Sequence, residues 1–179
     1  MTSSEETKEP RILVVDDDST LLKFFKIHLN KFFSKVIVVD SPAKAVDIIK
    51  DENQEIDLVI SDYKMPKSTG VQLAKKIKNI DASIPVFMIS GALISEEENK
   101  KIETKIDNFL QKPFSVEQLH QYIDLGLKYR DSYSELLEIV GDNKKLLEMI
   151  EGKRQFRSIK DTEQKERAKE ILEDLKIAS

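Results

Sequence analysis

Five short apolar runs, each followed by a segment of helical periodicity, restrict this chain to few folds. The runs cover residues 11–15, 36–39, 56–60, 85–89 and 107–111. Arg11–Val15 is the clearest, continuous and β-branched, which suits a strand buried on both faces, while the fifth run holds only Phe109 and Leu110 as apolar residues. Between them lie apolar residues at helical spacing. Leu21, Leu22, Phe25 and Leu29 predict a helix to about residue 33, and Ala45, Val46, Ile48 and Ile49 predict a second. Val71, Leu73, Ala74 and Ile77 predict a third over 68–80, and a charged fourth covers 95–104. A fifth is opened by Ser115 and carries Val116, Leu119, Tyr122, Ile123 and Leu127. Caps agree with these starts: Asp18 or Ser19 for the first, and Asp40-Ser41 before Pro42 for the second. Strict strand–helix alternation argues for a parallel sheet with helices on both sides, joined by right-handed crossovers.

In such a sheet the carboxyl ends of the strands form the binding edge. Here the first strand ends in Asp16 and Asp17, the third in Asp62, the fourth in Ser90 and the fifth in Lys112. Pro66, with no N–H to donate, and Gly70 close off the third strand as a loop. Taken singly, each residue has a plain structural reading as a helix cap, a turn residue or a solvated lysine. Together, at successive strand ends, they read as a site. Clustered carboxylates repel unless a cation intervenes, and an oxygen-only set favours Mg²⁺. A carboxylate, a hydroxyl, an ammonium and Mg²⁺ suit phosphoryl transfer, with the carboxylate attacking phosphorus.

Four stretches carry a resemblance over residues 11–130. They are Ile12-Leu-Val-Val-Asp-Asp17, Ser61-Asp-Tyr-Lys-Met-Pro66 with Gly70, Pro85-Val-Phe-Met-Ile-Ser-Gly91 and Phe109-Leu-Gln-Lys-Pro-Phe114. In this order and spacing the chain resembles the receiver domain of two-component response regulators. The resemblance implies a five-stranded parallel doubly wound sheet of order 2-1-3-4-5, flavodoxin-like. It implies Asp62 as phospho-acceptor from a sensor histidine kinase or phosphotransfer protein, and Mg²⁺ held by Asp17, Asp62 and the Lys64 backbone carbonyl, with Asp16 acting mostly through water. Ser90 would hydrogen-bond the phosphoryl group, Lys112 would pair with it, and Phe109 would be the switch aromatic. The Lys112–Pro113 peptide is expected to be cis. Phosphorylation would remodel the surface of the fourth helix, fifth strand and fifth helix, making the protein a switch and not a turnover enzyme.

Several positions depart from the pattern. Ser90 stands where Thr is common, and keeps the hydroxyl. The segment 104–106 lacks the family's Gly-Ala before the fifth strand. Lys64 and Ala92 offer no carboxylate or amide to orient an attacking water, so slow self-dephosphorylation is expected. An alternative lies in Asp16-Asp17-Asp18-Ser19-Thr20, which matches the nucleophile motif of haloacid-dehalogenase-type phosphatases, with Asp16 as nucleophile and Asp18 as acid/base. That reading leaves the Asp62 motif unexplained and needs an acidic pair after Lys112, where Pro113-Phe114 leads into a helix.

Composition excludes other classes. The chain has no Cys, so disulfides and thiolate chemistry are out. Net charge is −4 and residues 131–179 hold ten Lys/Arg against twelve Asp/Glu, which argues against a nucleic-acid partner. No apolar run approaches the roughly 18 residues of a membrane span, so a cytoplasmic protein is expected. Residues 1–10 read as a disordered leader and 131–179 as a helical C-terminal extension. Leu136, Leu137, Ile139 and Val140 form one amphipathic helix of that extension, and later apolar groups form two more. The extension is expected to serve a downstream protein, or a homodimer formed on phosphorylation; the alternative is a structural extension of the last receiver helix whose charge runs are solvated faces.

Overall fold

The computed structural model describes residues 9–66, 68–91 and 106–140, the last stretch as backbone alone beyond 134. β1 (Arg11–Val15), β2 (Lys35–Val39), β3 (Leu58–Asp62), β6 (Val86–Ser90) and β7 (Asn108–Gln111) form one parallel sheet in the order β2-β1-β3-β6-β7. Counting these five alone, the order is the expected 2-1-3-4-5. A two-stranded antiparallel ladder, β4 (Lys64–Met65) with β5 (Ser68–Thr69), interrupts the loop after β3.

Period-two alternation sorts the strand residues between two cores. Ile12, Val14, Leu58, Ile60, Phe87 and Ile89 face one side. There they meet Leu22, Phe25 and Leu29 of α1 (Ser19–Leu29) and Leu119, Tyr122 and Ile123 of α4 (Val116–Val140). Leu13, Val15, Val59, Val86 and Met88 face the other side. They pack on Ala45 and Ile49 of α2 (Pro42–Lys50) and on Leu73, Ala74 and Ile77 of α3 (Gly70–Ile80). The three central strands are buried on both faces because helices cover both, which is why their sequence runs are continuous.

Helix starts follow the caps. Asp18 Oδ1 accepts the N–H groups of Thr20 (2.7 Å) and Leu21 (3.3 Å). At α2 the start rests on Pro42 in the first turn, since the Ser41 side chain makes no capping hydrogen bond. Ser115 Oγ accepts the Gln118 N–H, and Gln118 Oε1 accepts that of Ser115. Two boundaries differ from the sequence reading. α1 stops at Leu29, with Lys31 and Phe32 donating back in short-range turns. α3 starts at Gly70 instead of residue 68, because Ser68 and Thr69 are taken by β5. The helix expected over 95–104 lies outside the described residues, as do residues 1–8 of the leader and everything after 140. The separate helix expected over 136–140 is instead the end of α4, which passes Arg130 unbroken.

The base of the sheet, opposite its carboxyl edge, is tied by a partly buried polar cluster. Lys78 Nζ lies 2.7 Å from Asp107 Oδ2 and donates to the carbonyls of Ile84 (2.7 Å) and Ala82 (3.3 Å). Asp107 Oδ2 also accepts the Val86 N–H at 2.6 Å. Arg130 reaches Ser83 Oγ and Asp81 Oδ2, which anchors α4 to the loop between α3 and β6. Its charges are paired and hydrogen-bonded, with Asp107 buried and Lys78, Arg130 and Asp81 partly exposed.

Candidate functional site

Asp62 is the last residue of β3, the central strand, and its position there follows from the buried run that precedes it. Its carboxylate is held by two donors. The Lys64 N–H donates to Oδ2 at 2.8 Å, and Lys112 Nζ donates to Oδ1 at 2.7 Å. Lys112 Nζ also lies 3.3 Å from Asp16 Oδ2. One ammonium thus bridges carboxylates from the ends of β1 and β3. Lys112 follows β7 directly, and its N–H donates to Ser90 O at 2.7 Å, which joins it to the end of β6. The Lys112–Pro113 peptide is cis, as expected.

The charges respond to this arrangement. Asp16 is buried and its N–H extends the sheet by donating to Val39 O at 3.2 Å. Burial raises its pKa above the ordinary carboxylate value, although the Asp18 N–H at Oδ1 and the nearby Lys112 pull the other way. Burial alone would lower the Lys112 pKa, but hydrogen bonding and attraction from Asp62 and Asp16 leave it raised, so the ammonium stays charged at neutral pH. Asp17, the next residue, is exposed.

The predicted residues are therefore gathered unevenly. Asp16, Asp62 and Lys112 are in direct contact. Ser90 is buried at the end of β6, on the face of Met88 and one strand from Phe109. Phe109 is partly buried and packs inward on the core beside α2 and α3. Among the described residues no three acidic or histidine side chains converge closely enough to cage a metal ion. The donor set still fits one kind of cation. It is oxygen-only, two of its carboxylates already face a positive charge, and Asp17 is exposed at the next position. A hard divalent ion keeping several waters suits such a set, and a softer ion preferring nitrogen or sulfur does not.

Sequence reasoning missed three supports of Asp62. The Ser61 hydroxyl, fully buried, donates to Asp62 O at 3.0 Å. Gly70 packs so closely on β3 that a Cβ there would lie 2.4 Å from Asp62 O. Thr69 and Gln72 form a reciprocal cap, and Thr-x-x-Gln is a recognisable signature of one. The Ser61 bond is to its own neighbour but carries no distinctive signature, and the close contact of Gly70, read in the sequence only as a loop signal, depends on how the fold packs α3 on β3.

Comparison with known proteins gives a consistent result. Residues 12–124 match the family model of the response regulator receiver domain. The two-component response regulator ARR6 of Arabidopsis thaliana is 30% identical over 131 residues, covering 67% of this chain and 70% of that protein. The transcriptional regulatory protein GlrR of Escherichia coli is 30% identical over 121 residues, 68% of this chain and 27% of GlrR. The 3',5'-cyclic-nucleotide phosphodiesterase regA of Dictyostelium discoideum is 35% identical over 121 residues, 66% of this chain and 15% of regA. The chain thus spans a small part of several relatives, about a fifth of two further plant regulators. Among solved structures, a response regulator receiver domain protein from Clostridium thermocellum superposes with a TM-score of 0.63 at 27% identity, over 69% of this chain and 98% of that one. The dehalogenase-type alternative finds no counterpart in these matches, and β7 leads through Pro113 into α4 without the acidic pair it required. With its strand order, its Asp16–Lys112–Asp62 bridge and a family match over residues 12–124, the chain belongs to the response regulator receiver domain family of two-component signalling.

Proposed function

We propose that this chain accepts a phosphoryl group on Asp62 from a sensor histidine kinase or phosphotransfer protein and uses it as a switch. The observation that carries the reading is the placement of Asp62 Oδ1 2.7 Å from Lys112 Nζ, with Asp16 on the same ammonium. An ionised Asp62 oxygen attacks phosphorus, forming an O–P bond as the N–P bond of the donor imidazole breaks. The imidazole nitrogen takes up a proton as it leaves, and no proton leaves Asp62. Lys112 is then in place to pair with the phosphoryl oxygens, and Ser90 to donate its hydroxyl to them. Mg²⁺, when bound by Asp17, Asp62, the Lys64 carbonyl and, through water, Asp16, would neutralise charge on the transferring group. A phosphoryl group adds about −1.5 to −2 charges, enough to draw Ser90 toward it. Ser90 and Phe109 share one face of adjacent strands, which supports their coupling: space vacated by Ser90 is space Phe109 can enter. The affected surface comprises the 95–104 segment, β7 and the start of α4.

This is a population shift between two conformers, not a catalytic turnover of substrate. The continuous α4 supports an output carried by the C-terminal extension to a downstream protein or a second copy, in the cytoplasm. No helix among the described residues is long and apolar enough to cross a membrane. The deciding experiment is acetyl phosphate labelling with Mg²⁺, read by intact mass and by reductive trapping of the acyl phosphate. One added phosphoryl group, mapped to Asp62 and absent from Asp62→Asn, is expected. Label on Asp16, or none, would sink the proposal.

A further inference from the structure

We propose that Gln72 is a positioning residue for the cation site: its side chain orients the Lys64 carbonyl by fixing the strand opposite it. The inference rests on the reading above, in which that carbonyl is a ligand. The geometry starts with the amides of the β4–β5 ladder. Lys64 and Thr69 face each other in register, yet neither N–H is spent on the other. The Lys64 N–H donates to Asp62 Oδ2 at 2.8 Å, and the Thr69 N–H donates to Gln72 Oε1 at 3.0 Å. Just outside them the Gly70 N–H donates to Tyr63 O at 3.0 Å. Lys64 and Thr69 are thus a non-hydrogen-bonded pair, whose N–H and C=O groups point away from the partner strand. A strand residue directs both groups to one side. The Lys64 carbonyl therefore faces the side on which its N–H meets the Asp62 carboxylate.

Gln72 maintains this state. Its Oε1 accepts from the Thr69 N–H and from Ser68 Oγ (3.2 Å), while the Gln72 N–H donates to Thr69 Oγ1 at 3.3 Å. Both residues of β5 are held by one side chain. If Oε1 is removed, the Thr69 amide loses its acceptor, β5 is free to turn, and the Lys64 backbone paired with it in register is no longer held in place. That would shift the Lys64 carbonyl relative to the Asp62 carboxylate. Gln72 itself is exposed, so its truncation opens no cavity.

The test is Mg²⁺ titration by calorimetry on the full chain, comparing wild type, Gln72→Ala and Gln72→Glu, with amide hydrogen exchange over 64–70 read in parallel. A side-chain cap of this type typically accounts for a factor of about five in an equilibrium constant, so Gln72→Ala is expected to weaken Mg²⁺ binding about fivefold. It should also speed exchange at Thr69. Gln72→Glu keeps the acceptor oxygens and is expected to return affinity to within about twofold of wild type. A purely structural cap would lower the urea midpoint of Gln72→Ala and leave its Mg²⁺ affinity unchanged, and that result overturns the inference. If wild type itself binds no Mg²⁺, the site reading fails and this inference with it, and the wild-type titration tells the two failures apart.

Discussion

Gly70→Ala is the sharpest single test of how the strand that carries Asp62 is supported. Gly70 opens α3 against β3 and β6, and an added Cβ would stand 2.4 Å from Asp62 O and 2.6 Å from Met88 Sδ. Ordinary contacts of this kind lie beyond about 3.4 Å, so roughly an ångström of movement is needed. Met88 is flexible and can yield. The Asp62 carbonyl belongs to the central strand and is tied by the Ser61 hydroxyl, so it cannot move cheaply. Overpacking of a tight site costs about 1–3 kcal/mol. Against this, Ala gains about 1 kcal/mol over Gly only in a helix interior, and less at the first helical position, which Gly70 holds. The expected net loss is about 1–2 kcal/mol, lowering the urea midpoint by about 0.5–1 M at an unchanged slope. Gly91→Ala is the internal control, since its Cβ would meet nothing nearer than Lys112 Cδ at 3.9 Å. Its stability should stay within about 0.5 kcal/mol of wild type. Equal stability of Gly70→Ala and wild type, or equal losses at both glycines, would refute the reasoning.

Other expectations follow from the same contacts. Tyr122→Phe removes a buried hydroxyl that donates to Met88 O at 2.9 Å and should cost about 0.5–1.5 kcal/mol in urea unfolding, with no cost if the bond is dispensable. Burial raises the Asp16 pKa from its ordinary 3.8, so the folded state holds its proton to higher pH than the unfolded state does. The stability Asp16 contributes is thus fully present below about pH 3.8 and is lost as pH rises through its raised value. In chelator-treated protein, the unfolding free energy of wild type minus Asp16→Asn should fall across that window, and a difference that rises with pH would contradict the assignment. The phosphorylated form should lose its label slowly, because Lys64 and Ala92 supply no group to orient water at phosphorus; a label lifetime of seconds in purified protein would argue otherwise. Lys112→Met leaves two carboxylates without their shared cation and should abolish stable labelling of Asp62, measured by intact mass.

Much of this protein is written into short-range pattern. Continuous apolar runs mark strands that helices cover on both sides, and the spacing of Leu22, Phe25 and Leu29 marks the buried face of α1. Local side-chain chemistry sets Asp18 and Ser115 as caps. Even the strand-end positions of Asp16, Asp62, Ser90 and Lys112 are legible, because a strand that runs out of apolar residues must end. What the chain alone could not set is where those ends meet. Lys112 reaches Asp62 across 50 residues and Asp16 across 96, through crossovers that decide which strands are neighbours. The same long-range packing makes Gly70 a spatial necessity, gives Ser68 and Thr69 to a ladder that delays α3, and pairs Lys78 with Asp107. Hydrophobic period and propensity act over a turn or a strand, whereas a site built from four strand ends exists only once the sheet has assembled.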